Sequence, residues 1–320
     1  MAKYVLRMTA LGVLLGTWAV SLCLAQQSTQ DVPARVNSNK FKQLGQELPT
    51  PNVYRTASGA PGHEYWQQRV DYNIQVTLDD ENQRIDGEER ILYKNNSPDE
   101  LRYLWLQLDQ NVRALDSDSY KIRESRINSS SSFESIQDLE PSFDGGFKIQ
   151  YVGDETGKPL EYTINKTMMR IDLPSPLKPG GTFVFEVAWW YSINDRMKDG
   201  GRSGYEYFED EDNYLYTIAQ FYPRLVVYMD NEGWQNKQFL GSGEFTLNFG
   251  DYHVEITVPS DHVVASTGVL KNAKTVLTPR QRKRLQQARK SYETPIMIVN
   301  EEEARIAEQD KKTGTKTWVF

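Results

Sequence analysis

From Val70 the chain alternates: Val70, Tyr72, Ile74, Val76 and Leu78 are apolar, while Asp71, Asn73, Gln75, Thr77 and Asp79 between them are polar. A period of two predicts a strand with one wet face. The polar turn Asp79 to Gln83 leads to a second run, Ile85 to Tyr93, in which Ile91 and Tyr93 share a face, and a third apolar run covers Leu101 to Leu108. Together the three read as an antiparallel meander. Further strands are predicted at Phe147 to Val152, at Met168 to Leu173, and at Phe183, Phe185, Val187, Trp189 and Tyr191. Phe245, Leu247 and Phe249 then pair with Tyr252, Val254, Ile256 and Val258, and Val263 to Thr267 follows. So many strands with almost no helix predict an all-β fold, a large antiparallel saddle or sandwich.

Helix signals appear only near the C-terminal end. Thr278, Pro279 and Gln281 supply a cap, a first-turn proline and a capping-box partner, ahead of a polar run to Lys290 with Leu285 and Ala288 on one side. Asn300 and Glu303 repeat the device, with Glu301 and Glu302 at the positive end of the helix dipole and Lys311 and Lys312 at its negative end. Both helices read as an insertion, about 278–312, between strands. Alternation resumes at Thr315 to Phe320 and stops on an apolar residue in mid-strand, which reads as a truncated chain.

Ahead of the strands, Lys3 and Arg7 precede a stretch from Met8 to Leu24 that is apolar apart from a few small or hydroxyl residues. Residues 1–25 read as an export signal cleaved after Ala25. The rivals are a lipoprotein anchor on Cys23, disfavoured by Leu22 before it, and a retained membrane anchor, which needs about 20 apolar residues. No stable anchor is expected, and the location is periplasmic or secreted. Removing Lys3 and Arg7 from 37 basic residues leaves 35 against 44 acidic ones. It also removes the single cysteine, so disulfides and thiolate chemistry are excluded from the mature chain. Residues 26–62, with Pro33, Pro49, Pro51 and Pro61, read as a polar extension, and 63–320 as the β domain. A net charge of -7 with no dense Lys and Arg run makes nucleic acid no partner.

The chain holds three histidines, His63, His253 and His262. His63-Glu64-Tyr65-Trp66-Gln67 falls one residue short of the zinc-protease pattern, because Gln67 cannot replace the second imidazole and the periodicity from Tyr65 on is that of a strand. His253 falls on the wet parity of its strand and His262 follows a Pro-Ser-Asp turn, so both read as surface or turn histidines. The acidic run Glu209 to Asn213 lacks the glycine and terminal Glu of a calcium loop and reads as a solvated loop. Gly200, Gly201 and Gly204 lack the strand-before, helix-after context of a phosphate cradle. Asn95, Asn128 and Asn165 head glycosylation triplets that matter only in a eukaryotic secretory pathway. No catalytic residue and no metal ligand is read from the sequence.

Three stretches resemble the N-terminal domain of aminopeptidase N-type zinc metallopeptidases. They are Tyr65-Trp66-Gln67-Gln68-Arg69-Val70-Asp71-Tyr72, Gly200 to Phe208, and above all Tyr214-Leu215-Tyr216-Thr217-Ile218-Ala219-Gln220-Phe221-Tyr222-Pro223-Arg224. Gly233 to Gly241 and Gly243-Glu244-Phe245 are similar to the exported bacterial branch. The resemblance covers about 60–320 and implies a saddle-shaped β domain walling the cleft of a downstream thermolysin-like catalytic domain. That domain would hold the zinc; this chain alone would hold none and be inactive. The resemblance also implies that Gln220 helps hold the free amino end of a peptide substrate, its carboxamide oxygen accepting from the ammonium. Arg224 is expected to be structural. The other reading is a stand-alone exported β-sandwich module that binds peptides or glycans without catalysis.

Overall fold

Val70, Tyr72, Ile74, Val76 and Leu78 are buried on one face of β1 (Arg69–Asp79), which is what a strand lying on a core demands of a period-two sequence. The computed structural model describes residues 51–122, 142–243, 246–309 and 314–320, with 130, 132, 133 and 136. The export signal, Cys23, Asn128, Lys311 and Lys312 lie outside the described residues.

The chain forms two compact units, one ending at Tyr65 and taking in Asp230–Glu232, the other made of Trp66–Met229 and Gly233–Phe320. Within the first, Arg55 sends Nε to both carboxylate oxygens of Asp230, at 2.9 and 2.8 Å, and lies over the Tyr65 ring.

The second unit is all-β in character. β2 (Arg84–Lys94) pairs antiparallel with β1 on one side and with β7 (Thr182–Ser192) on the other. β4 (Lys148–Asp154) continues the sheet beyond β7. On the far side of β1 come β13 (Tyr252–Pro259) and β14 (Thr315–Val319), which gives six strands in the order β14-β13-β1-β2-β7-β4. A second sheet runs β10 (Arg224–Leu225), β3 (Leu101–Gln107), β6 (Met168–Leu177) and β5 (Tyr162–Asn165). Leu104, Leu106, Met169 and Ile171 of the second sheet share one buried cluster with Ile74, Ile91, Phe185 and Trp189 of the first, so the two sheets enclose a common core. Two hairpins complete the strands: β8 (Gly204–Phe208) with β9 (Asn213–Thr217), and β11 (Tyr228–Met229) with β12 (Gly233–Trp234).

Three strand expectations change. The meander breaks at β3, which leaves for the second sheet, because β7 has already taken the free edge of β2. Phe245 lies outside the described residues, and 246–249 add only a parallel bridge from Phe249 to Arg69, with Asn248 turned inward to the Leu225 carbonyl at 3.1 Å. Val263–Thr267 forms no strand: β13 already has β1 on one side and β14 on the other, so the run meets no open edge there. The β1–β13 pair is parallel, an exception to an otherwise antiparallel sheet.

The helices follow their caps. Thr278 accepts from the Gln281 backbone while the Gln281 side chain accepts from Thr278, opening α1 (Pro279–Ala288). Asn300 and Glu303 exchange the same two bonds at the start of α2 (Glu301–Gln309). A single turn at Ala273–Val276 begins the insertion slightly earlier than the sequence suggests. Among the described residues no helix is long and apolar enough to cross a membrane.

At the centre of the larger sheet, Gly87 faces Trp189 across the β2–β7 pair. A Cβ at residue 87 would lie 2.5 Å from the fully buried indole, so only glycine leaves room for it. The indole in turn donates from Nε1 to the Phe221 carbonyl at 3.0 Å.

Candidate functional site

The segment after β9 leaves its hairpin at Ile218 and rejoins a sheet at Arg224, and three successive carbonyls between them, of Ala219, Gln220 and Phe221, are held by side chains. The Ser203 hydroxyl donates to the Ala219 carbonyl at 2.8 Å and lies 2.7 Å from the Ala219 amide. The Gln110 side-chain nitrogen bonds the carbonyls of Ala219 and Gln220, at 3.1 and 3.0 Å, and its oxygen accepts from Arg113 at 3.1 Å. Trp189 holds Phe221 from below, and β10 is pinned through Leu225, whose amide donates to the Tyr72 hydroxyl at 3.0 Å.

Within this frame Gln220 adopts φ 56°, a left-handed conformation that costs a non-glycine residue about 1–2 kcal/mol. Such strain persists only where the surroundings over-determine it, and here two carbonyls and an indole do so. Its side chain is half-buried and makes no hydrogen bond with any of the described residues. The segment therefore presents one carboxamide with its bonding capacity intact.

Arg224, four residues on, is the opposite case. It is 8% exposed, and its Nη2 lies 2.6 Å from Asp109 Oδ2, close enough for a strong ion pair. Gln107 donates to the other Asp109 oxygen. Burial pushes the Asp109 carboxyl up, and the Arg224 charge together with these donors pulls it part of the way back. Arg224 is structural, pairing a carboxylate as a buried guanidinium must.

Behind the segment lies a group that sequence reading passed over. Glu89 is 2% exposed, neither oxygen has a hydrogen-bond partner, and burial alone pushes its carboxyl well above the ordinary range. Burial pushes up the neighbouring Tyr72 and Tyr222 phenols as well, and proximity to the Glu89 carboxylate raises both further. The signal was its parity, since Glu89 stands in register with Ile85, Gly87, Ile91 and Tyr93.

Ile218 and Phe221 also wall a cavity of about 1080 Å³ whose floor is apolar, with Val76, Ile85, Ile256 and Val258. Its charged lining is one-sided: Asp79, Asp80, Glu81, Asp212, Asp261 and Glu308, with neither Lys nor Arg. Tyr216 donates to Asp80, and burial followed by that bond pushes its phenol far up. A concave, partly apolar surface with six carboxylates attracts cations and ammonium groups.

The histidines are dispersed. His63 is exposed beside Glu64, and His253 is half-exposed with Nε2 3.1 Å from Glu255. His262 is more enclosed than a turn position suggests, with Nδ1 2.9 Å from Asp261 and Nε2 3.8 Å from Asp80. Among the described residues no three His, Cys, Asp or Glu side chains converge so as to hold a metal. The acidic run Glu209–Asp212 forms the turn between β8 and β9.

No protein-family model matches the chain, and no curated protein matches it. Among solved structures it is similar to a variant M1 zinc metallopeptidase of Deinococcus radiodurans bound to a Tyr-Ser-Ala substrate, at 14% identity and a TM-score of 0.35. That match covers 64% of this chain and 36% of the other. A two-domain M1 zinc metallopeptidase variant bound to L-tryptophan matches at 13% identity and a TM-score of 0.34, over 67% of this chain and 38% of the other. The chain thus spans little more than a third of the length of these structures.

Proposed function

We propose that this chain is the N-terminal, substrate-cleft part of an exported zinc-dependent aminopeptidase, in which Gln220 receives the free amino end of a peptide. The observation that carries the reading is the state of Gln220. In the segment with the strongest motif resemblance, the carbonyls of Ala219, Gln220 and Phe221 are tied down, the residue itself is strained, and its carboxamide is left unbonded. The acidic cavity that opens beside Ile218 and Phe221 supports it, since a peptide ammonium is drawn to such a surface.

In this reading residues 1–25 direct export to the periplasm or beyond, 26–62 form a tether, and 63–320 pack against a thermolysin-like domain that follows. The described residues do not fit zinc, because the three histidines stand apart with only a single near carboxylate pair at His262. The ligands would belong to the following domain, where the metal would supply activated water. Residues of this chain would bind and orient.

The test uses the complete enzyme. Gln220→Ala should lower the specificity constant for free-amino peptides by about 1.5–3 kcal/mol, the scale of one hydrogen bond to a charged group, while zinc content stays constant. Gln220→Glu should keep or improve affinity, since a carboxylate accepts the same bond with charge assistance. N-acetylated peptides should be poor substrates of every variant. Wild-type kinetics in Gln220→Ala, or a loss matching lost stability, would refute the role. A natural gene that ends after Phe320 without a His-Glu-x-x-His segment would favour the stand-alone binding module.

A further inference from the structure

A second, smaller cavity of about 210 Å³ lies between β14 and the helical insertion. Its walls are Val263 of the turn after β13, Val276 and Leu277 of the single helical turn, and Val299, Ile306 and Ala307 at α2. Lys316 and Trp318 line it from β14, two residues apart and so on one face of the strand.

The polar groups of this cavity are not equally engaged. Glu303 is bonded by Arg284 and caps its own helix through Asn300. Thr278 and Gln281 satisfy one another in the capping box, and Asp261 is bonded to His262. Each acid of the lining therefore has a basic partner. Lys316 has no carboxylate within ion-pair distance among the described residues. Trp318 is only 3% exposed, and its indole N–H is buried without a hydrogen-bond acceptor. Leaving such a donor unmet costs about 1–3 kcal/mol, so the arrangement stores a preference for an acceptor. An ammonium without a carboxylate partner and a buried N–H without an acceptor, two residues apart on one strand that borders an aliphatic wall, are the complement of a carboxylate carried on a small apolar body.

We propose that this cavity binds a small carboxylate with a branched aliphatic body, its head on Lys316 and Trp318 and its methyl groups among Val263, Leu277 and Ile306. The volume corresponds to about seven waters of liquid, which sets the ligand at five to seven heavy atoms. The site does not depend on the aminopeptidase reading, and none of its residues lies in the Gln220 segment.

Titration of the full chain with 3-methylbutanoate tests it, followed by calorimetry and by the indole N–H resonance of Trp318, assigned through Trp318→Phe. The expected result is saturable one-to-one binding in the millimolar range, with that one indole resonance moving most. 3-Methylbutan-1-amine, with the same body and the opposite charge, should not bind, and acetate should bind about tenfold more weakly for want of a body. Lys316→Met should weaken 3-methylbutanoate about tenfold or more. Ala307→Leu, a substitution a helix accepts, should fill the cavity and abolish binding while leaving the thermal melt in place. Leucine serves as the last arm: binding as tight as 3-methylbutanoate identifies a free amino acid as the source, and absence of binding identifies a simple carboxylic acid. No saturation up to about 10 mM, equal binding of the amine, or indifference to both substitutions would overturn the proposal.

Discussion

Two buried carboxylates, one in the middle of β2 and one just beyond the end of β3, meet the same desolvation in different ways. Glu89 has no hydrogen-bond partner, and burial pushes its carboxyl up unopposed. Asp109 has Arg224 at 2.6 Å and a donor from Gln107, and burial raises its carboxyl against that opposition. The difference teaches that burial sets the direction of the shift and a near opposite charge limits its extent. Both carboxyls are raised, so both favour the fold towards low pH, and the pair at Asp109 weakens that dependence where nothing weakens it at Glu89.

The sharpest way to break this comparison is to remove one member of the pair. Asp109→Ala leaves the Arg224 guanidinium buried without its countercharge and should lower stability by about 3–5 kcal/mol in urea melts. The double change Asp109→Leu with Arg224→Met should recover most of that loss, because it removes both charges. A double variant as unstable as the single one would mean that the pair contributes more than mutual neutralisation.

Glu89 should show its isolation in the pH dependence of stability. Its carboxyl is raised in the folded protein, so between the ordinary value of 4.5 and the folded value the native state holds a proton that the unfolded chain has lost. Stability should therefore fall as pH rises through that window, by at most about 1.4 kcal/mol per pH unit. Glu89→Gln should flatten this part of the profile. Parallel profiles for the two proteins across pH 5 to 8 would show that Glu89 ionises freely.

The Gln220 backbone supplies a smaller effect. Gln220→Gly relieves a left-handed φ of 56° and should match or slightly exceed wild-type stability, whereas Gln220→Val should cost about 1–2 kcal/mol. Equal melts for the two would remove the argument from strain. The smallest effect belongs to Glu186, a half-exposed carboxylate 3.0 Å from Arg90: Glu186→Gln should change stability by no more than about 1 kcal/mol, less at high salt. It is the exposed counterpart against which both buried acids are measured.

Much of the fold was written in parity. The alternation at Val70–Leu78 and at Phe183–Tyr191 marks the buried face residue by residue, and Thr278 with Gln281 marks a helix start to the residue. Sequence reading failed where partners are distant. Nothing local tells β13 to lie parallel to β1, some 180 positions away, or β3 to desert β2, because register is decided by which edges remain open. The β8–β9 hairpin was hidden by aromatic residues on both strands and by the glycines before it, which read as loop. At the candidate site, motif resemblance singled out Gln220, but its strain and unbonded side chain depend on Gln110, Ser203 and Trp189, none of which signals the role in sequence.

The contact between Gly87 and Trp189 also constrains how such a chain can change over generations. Any side chain at residue 87 would displace the indole, and a displaced indole releases the Phe221 carbonyl beside Gln220. Substitutions are therefore accessible in one order only: Trp189 must shrink before Gly87 can grow, and the intermediate passes through a core with a hole in it. A lineage that has acquired this large residue opposite this small one is entrenched, held by the path it took as much as by the contact itself.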